Sequence, residues 1–539
     1  MIREEIRKSI KKEILELQKG KVFPVFDIPE IKVEHPEISS HGDYSTNIAM
    51  MLARQVKKNP AEIAEVLVNR LLSLKVYKLY FEKAEALKPG FVNFFISKEY
   101  LQKQVAGILK EGEKFSSLNI GKNKKVNVEF ISANPTGPLT LGNGRGGFCG
   151  DVLANVLIKA GYKVTREYYI NDVGEQIRKL GHSVIGDTQF YKGSYIENLK
   201  EKIKDSDPDK AGGKAAGIIL KEIKETVEKM KIKFDVWFSE RSLYEKGETE
   251  KVLRFLKKKK LIYEKEGALW FKSSQFGDDK DRVLIKADGE TTYFLSDIAY
   301  LKNKFNRGFN RLFFFWGADH YGYIGRIKAA AQALGYKEER IEVIIMQLVA
   351  IMWTGEVARM SKREGIYRTI EELVKGLGID IVRFFFLTKS PGSHLIFNLE
   401  LAKEQSEKNP VFYVQYAYAR IHSILAKSEI RNPKPETNSK LKIQDPNLKL
   451  LSHPSELALI KQLIRFPEII EDTARDYQVQ RLPQCALDLA AAFHQFYRDC
   501  KVISEDKELA RARLDLVAAT KITLKNTLDL MGILAPEKM

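Results

Sequence analysis

Cysteine is scarce in this chain: three in 539 residues, Cys149, Cys485 and Cys500, far from one another. That number and spacing exclude a disulfide framework and a cysteine-based zinc site, and they point to a reducing compartment, the cytoplasm. Long apolar runs are missing too. None reaches the roughly 18 residues needed to span a bilayer, so no membrane partner is expected. The opening stretch, MIREEIRKSIKKEILELQKG, lacks the apolar centre of a signal peptide and reads as a charged, amphipathic helix. Internal repeats are absent. So are the two commonest phosphate loops: no Gly-x-Gly-x-x-Gly sits against a strand, and no Gly-Lys-Ser/Thr closes a glycine-rich turn.

What is present is a globular composition. Hydrophobic residues make up 44% and charged residues 30%, which argues against a disordered chain. The length predicts three or four domains at about 150 residues each. Lys and Arg number 89 against 71 Asp and Glu, a net charge of +18. That surplus suits a polyanionic partner without naming it.

Three textures succeed one another. Residues 1–105 combine two helical patterns, Ile2–Leu17 and Pro60–Leu74, with short strands such as 90–96, an α+β domain. Residues 106–404 alternate strand and helix: strands Val126–Ile131, Lys163–Ile170, Leu312–Trp316 and Ile341–Met346, helices Gly144–Ala160 and Ile324–Leu334. Strands joined by long helical crossovers predict a doubly wound parallel sheet of the Rossmann type. A Lys/Glu-rich stretch from about 185 to 285 breaks the rhythm and reads as an insertion. Residues 405–539 are nearly all helical in pattern, an α-helical bundle interrupted by a polar connector at 428–447.

Two loops carry chemistry. After the first strand of the sheet comes Ser132-Ala133-Asn134-Pro135-Thr136-Gly137-Pro138-Leu139-Thr140-Leu141-Gly142-Asn143-Gly144. A strand, a polar turn and a glycine-rich helix start present backbone N–H groups to an anion such as a phosphate. Taken alone, a tight turn with glycines for helix packing explains it as well. The second loop, Arg359-Met360-Ser361-Lys362-Arg363, follows the late strand and precedes a capping box, Thr369 with Glu372. Its cations suit the charge that develops as pyrophosphate leaves a nucleoside triphosphate.

Together the two loops resemble the signatures of class I aminoacyl-tRNA synthetases, and the first resembles in particular the arginyl-tRNA synthetase family. The family commonly carries histidines where this chain has Thr140 and Asn143, and Arg359 replaces the first lysine of the second loop, whereas Lys362 is intact. Further stretches are similar to that family: Tyr168–Gly174, Phe234–Glu240, Tyr293–Asp297, Gly317–Gly322, His41–Asn47, Pro89–Phe94, Asn409–Arg420 and Leu530–Pro536. The likeness covers nearly the whole chain.

The resemblance implies an arginine–tRNA ligase that first forms arginyl-adenylate from ATP and then esterifies the 3′-terminal ribose of tRNA(Arg). Its substrates would be L-arginine, ATP with Mg²⁺, and the tRNA, with no protein-bound zinc, and the enzyme is expected to be a monomer. It implies Lys362, Ser361, Thr140 and Asn143 in catalysis. Gly142, Gly144, Thr140, Asn143, Met360, Lys362, Asp319 and His320 would bind ATP, with His320 in the core of the sheet. Glu129, Asn134, Glu240, Tyr293 and Asp297 would bind arginine, with Asp297 and Glu240 on the guanidinium, because a guanidinium asks for carboxylates in a fork geometry. Tyr44, Asn47, Tyr413, Tyr416 and Arg420 would contact tRNA. Two rivals are a class I enzyme for another amino acid and an RNA-binding paralogue without chemistry. The paired carboxylates speak against the first, and Lys362 with Asn134 against the second. Thr140 and Asn143 keep hydrogen bonding but cannot be cationic, which predicts activation that is retained and slower.

Overall fold

The first helix, Ile2–Lys19, shows how the N-terminal domain assembles. Ile2, Ile6, Ile10 and Ile14 are buried at four-residue spacing, so one helical stripe goes inward while the lysines stay in water. It packs with the helix Pro60–Leu72, which Asn59 caps at its start with Pro60 in the first turn. A small antiparallel sheet completes the domain, β1 (Tyr44–Thr46), β2 (Phe81–Leu87) and β3 (Phe91–Ile96), in the order β1-β3-β2. The computed structural model describes residues 1–74, 77–353, 356–358, 369–431 and 448–539.

The central domain holds a five-stranded parallel sheet. Along the chain come β4 (Lys125–Glu129), β5 (Lys163–Ile170) and β6 (Val236–Ser239). A separate antiparallel sheet comes next, β7 (Ile262–Lys265), β8 (Ala268–Phe271) and β9 (Arg282–Ile285), and then β10 (Arg311–Gly317) and β11 (Ile341–Met346) return to the parallel sheet. Its order is β11-β10-β4-β5-β6. The strand order reverses between β4 and β10, and the crevice beyond their carboxyl ends is where open parallel sheets bind ligands. The stretch read as an insertion therefore gives the sheet its edge strand β6. A third small sheet, β12 (Val349–Trp353), β13 (Glu356–Ala358) and β14 (Leu395–Asn398), lies beyond β11.

Four long helices, Pro410–Arg431, Pro454–Asp476, Arg481–Asp499 and Lys507–Met531, form the C-terminal bundle. Arg383 ties it to the central domain. Fully buried, its guanidinium pairs with Asp151 and donates to the carbonyls of Met230 (2.9 Å) and Met531 (2.7 Å), the last at a helix C-terminus where a cation is favoured. Gly532 comes next at φ +67, and a Cβ there would lie 2.7 Å from that guanidinium, so the bundle's end requires glycine. The N-terminal domain also grips the bundle: Arg3 pairs with Glu471 at 2.7 Å and Asp472 at 2.8 Å, and Asp43 with Lys461 at 2.6 Å. Among the described residues no helix is long and apolar enough to cross a membrane.

Candidate active site

Glu129 ends β4, and Glu167 stands beside it in register on β5, so two carboxylates share one face of the sheet. Like charges this close need cations. The helix Tyr293–Asn306 and the residue just after it supply them. Lys304, fully buried, donates to Glu129 Oε2 (2.5 Å) and Asn127 Oδ1 (2.7 Å), and Arg307 grips Glu167 through both nitrogens (2.6 and 2.8 Å). Tyr300 bridges the two carboxylates at 2.9 and 2.5 Å. Burial opposes the charge on Glu167, yet Lys304 and Arg307 outweigh it and hold its carboxyl below the ordinary value. Glu129 Oε1, which takes no part in those bonds, has Ser132 Oγ at 3.4 Å.

The chain leaves β4 through strained backbone. Ile131 and Ser132 have φ of 66 and 40, which is unusual for side-chain-bearing residues and above all for a β-branched one. Two tyrosines brace the turn beyond them: Tyr168 donates to the Ala133 carbonyl (2.9 Å) and Tyr195 to the Thr136 carbonyl (3.0 Å). Asn134, between them, donates to Gln176 Oε1 at 2.5 Å, so its amide oxygen is turned the other way.

One turn of helix nearer the mouth of the crevice lies a second carboxylate pair. Asp297 is one turn after Tyr293, on the face that continues through Tyr300 to Lys304. Its hydrogen-bond donor is the Tyr323 hydroxyl. Burial, with Glu240 and Glu129 nearby, pushes its carboxyl from 3.8 up to about 7. Glu240, buried after β6, is likewise raised by burial, against the hydroxyls of Ser296 and Tyr169. The Asn171 amide, with its nitrogen toward Glu240, donates to Oε2 at 3.0 Å. No lysine or arginine pairs with either carboxylate among the described residues. Half-exposed Tyr293 stands over Gly174 at the entrance.

The glycine-rich turn differs from the expectation drawn for it. Thr140 and Asn143 form a capping box for the helix Leu141–Lys159: Asn143 Oδ1 accepts from the Thr140 amide (2.9 Å) and hydroxyl (2.8 Å), and Thr140 Oγ1 accepts from the Asn143 amide (3.3 Å). Both side chains are thus committed to the helix start. Gly144 is buried, and a Cβ there would lie 2.5 Å from Ile370, so packing against Ile370 requires glycine at this position. Gly142 remains exposed. The segment after the second loop is stitched to this turn, with the Ile370 amide on the Leu139 carbonyl (3.1 Å) and Thr369 bridged to Thr140. Met360, Ser361 and Lys362 themselves lie outside the described residues.

Asp319 and His320 occupy a short 3₁₀ turn, Ala318–Tyr323, at the carboxyl end of β10. His320 is exposed there and lies outside the core of the sheet. Tyr44 is fully buried with its hydroxyl on Glu468 (2.9 Å), so it joins the N-terminal domain to the bundle and is closed to RNA. Asn47, half-buried, precedes the helix Ile48–Val56. Tyr416 and Arg420 lie on the open face of Pro410–Arg431, where the Arg420 guanidinium stacks 5.2 Å from both Tyr416 and Tyr497. Tyr413 packs on His494 (4.9 Å). Sequence reasoning missed Lys304, Tyr300, Arg307, Glu167, Gln176 and Tyr323, and took in Tyr169 only as part of the stretch Tyr168–Gly174. For the first two the spacing from Asp297, seven and three residues on, was the available signal.

Comparison with known proteins identifies the family. Residues 104–184 and 187–376 match the catalytic domain of class I (R) tRNA synthetases, residues 4–96 the arginyl tRNA synthetase N terminal domain, and residues 414–539 the DALR anticodon binding domain. The chain is 43% identical to the arginine–tRNA ligase of Caldanaerobacter subterraneus subsp. tengcongensis, over 100% of this chain and 99% of that one. It is 43% identical to the arginine–tRNA ligase of Bacillus subtilis, over 100% of both. The solved arginyl-tRNA synthetase structure of Thermus thermophilus superimposes with a TM-score of 0.74 at 23% identity, covering 100% of each chain, and shares the fold. Catalytic sheet, N-terminal domain and bundle are all accounted for, and the chain belongs to the arginyl-tRNA synthetase family of class I enzymes.

Proposed function

We propose that this arginine–tRNA ligase reads its amino acid through the uncompensated carboxylates Asp297 and Glu240. The observation that carries the reading is their environment: two enclosed carboxyl groups with raised pKa values and only neutral donors around them. A guanidinium is always charged and brings a fork of donors, so it supplies the missing cation. Tyr293 would lie along the side chain. Glu129, through Oε1, and the amide oxygen of Asn134 would take the α-ammonium group. That leaves the arginine carboxylate directed at the reversal point between β4 and β10.

There it would attack the α-phosphate of ATP, releasing pyrophosphate, and a ribose hydroxyl at the 3′ end of tRNA would take the arginyl group in the second step. The work is positioning and charge stabilisation. The exposed N-terminus of the helix Leu141–Lys159 at Gly142, together with Asp319, His320, Met360, Ser361 and Lys362, would line the nucleotide. Thr140 and Asn143 would act by holding that helix start in place. The donors at the turn are N–H groups and neutral side chains, which suit phosphate oxygens. Mg²⁺ would therefore arrive with ATP, on phosphate and water ligands. The working unit is taken to be a monomer, and the tRNA substrate supports the cytoplasm as its compartment.

For tRNA, the exposed Tyr416–Arg420–Tyr497 cluster, with Tyr413 and Asn47, offers aromatic faces and a cation for unpaired bases. We divide the chain at 1–105, 106–404 and 405–539. Asp297→Asn and Glu240→Gln are each expected to raise KM for arginine about 100-fold, the scale of losing one partner of an enclosed charge pair, with KM for ATP unchanged. Arginine KM within twofold of the parent in both variants would refute the assignment.

A further inference from the structure

Tyr323 closes the 3₁₀ turn that begins with Asp319 and His320 at the end of β10. It thus belongs to the nucleotide side of the crevice, yet its hydroxyl donates to Asp297 Oδ2 in the amino-acid pocket. The ring is held from three sides: Phe294 edge-on at 6.1 Å, Trp316 at 6.0 Å, and the Arg326 guanidinium at 5.1 Å. A hydroxyl on a ring so wedged has one place to point.

We propose that Tyr323 is a positioning residue for arginine recognition: it fixes the Asp297 carboxylate and favours the charged form that a guanidinium needs. The proposal rests on the assignment of Asp297 to the guanidinium. A carboxylate has about four lone-pair sites, so engaging Oδ2 on one side leaves Oδ1 free toward the pocket. A hydrogen bond to the ionised form favours ionisation. The surroundings make that contribution matter. Glu240 after β6 and Glu129 on β4 both face Asp297 and favour the proton, as burial does. Tyr169 approaches from β5, and Tyr293 and Tyr300 share the helix face. Arg326 and Arg282 face Tyr323. Among the groups that act on Asp297, the Tyr323 hydroxyl is the one that lowers its pKa.

The test is Tyr323→Phe in the full-length enzyme, which removes one oxygen and keeps the ring packing, assayed by ATP–pyrophosphate exchange with tRNA present. KM for arginine should rise about tenfold, the scale of one charge-assisted hydrogen bond, with kcat and KM for ATP within twofold of the parent. The acid limb of kcat/KM for arginine should move to higher pH, because the lost donor had favoured the anion. Asp297→Asn runs in parallel. If that variant binds arginine normally, the guanidinium assignment itself fails. If it loses arginine while Tyr323→Phe keeps the parent's KM and acid limb, the role given to Tyr323 is overturned and the assignment stands. A kcat loss in Tyr323→Phe with unchanged arginine KM would also overturn it.

Discussion

One helix, Tyr293–Asn306, serves two carboxylate pairs that are treated in opposite ways. At its C-terminal end Glu129 and Glu167 meet Lys304, Arg307 and Tyr300, and every charge is answered inside the protein. Near its N-terminal end Asp297 and Glu240 meet hydroxyls and an amide, and their proton affinity rises. Burial is common to both pairs, so burial alone does not distinguish a structural carboxylate from a functional one. The difference is where the compensating cation comes from. A pair neutralised from within holds the sheet to the helix, and of its four oxygens only Glu129 Oε1 is left outside the Lys304, Arg307 and Tyr300 bonds, the atom proposed above for the α-ammonium group. A pair left short of cations suits a cationic ligand, which is the basis of the arginine site proposed above.

The largest expected effect lies on the neutralised side. Lys304→Met leaves Glu129 and Glu167 together without their central cation, and should destabilise the protein by about 3–5 kcal/mol in urea unfolding. Asp297→Asn should instead leave stability unchanged or raised, since it removes a charge that no cation pairs with among the described residues and keeps an oxygen for the Tyr323 hydroxyl. Equal losses in the two variants would erase the contrast.

The next effect is on pH. Asp297 titrates near 7, so kcat/KM for arginine should fall about tenfold for each unit below that value, while kcat/KM for ATP stays flat. The same group has a stability consequence in the arginine-free enzyme. Unfolded, its carboxyl loses its proton near the ordinary 3.8; folded, it does so only near 7. Between those values the folded state carries the extra proton, so this group's contribution to stability falls as pH rises through the window and levels off above it. Arginine should abolish the loss, which thermal melting with and without arginine across that range will show.

The smallest effect concerns the glycine-rich turn. Thr140→Ala removes a capping side chain and should cost about 1 kcal/mol of stability, with arginine KM unchanged. Replacing Thr140 and Asn143 together by histidine should disturb the helix start by a similar amount. An increase in activation rate without loss of stability would show that the turn contacts phosphate through those positions.

Much of the architecture was legible in the linear chain. Alternating apolar strands and long crossovers announced a parallel sheet, and four-residue spacing put Tyr293 and Asp297 on one helix face. The capping box Thr369–Glu372 was readable because its partners are three residues apart. The edge strand β6 was hidden by the Lys/Glu-rich helices around it, which resemble an insertion in composition. Local patterns also could not say that Thr140 and Asn143 bond to each other, or that Tyr44 faces Glu468, 424 residues away.

The sequence by itself determined the order of elements, the surplus of positive charge and the residue types available to bind a guanidinium, because these depend on short-range periodicity and composition. Which carboxylate finds a cation was decided only in the tertiary structure. Lys304 and Asp297 sit on the same helix face, seven residues apart, and nothing local separates their fates. What separates them is the sheet beneath, where Glu129 and Glu167 arrive in register and claim the lysine, leaving Asp297 to the Tyr323 hydroxyl.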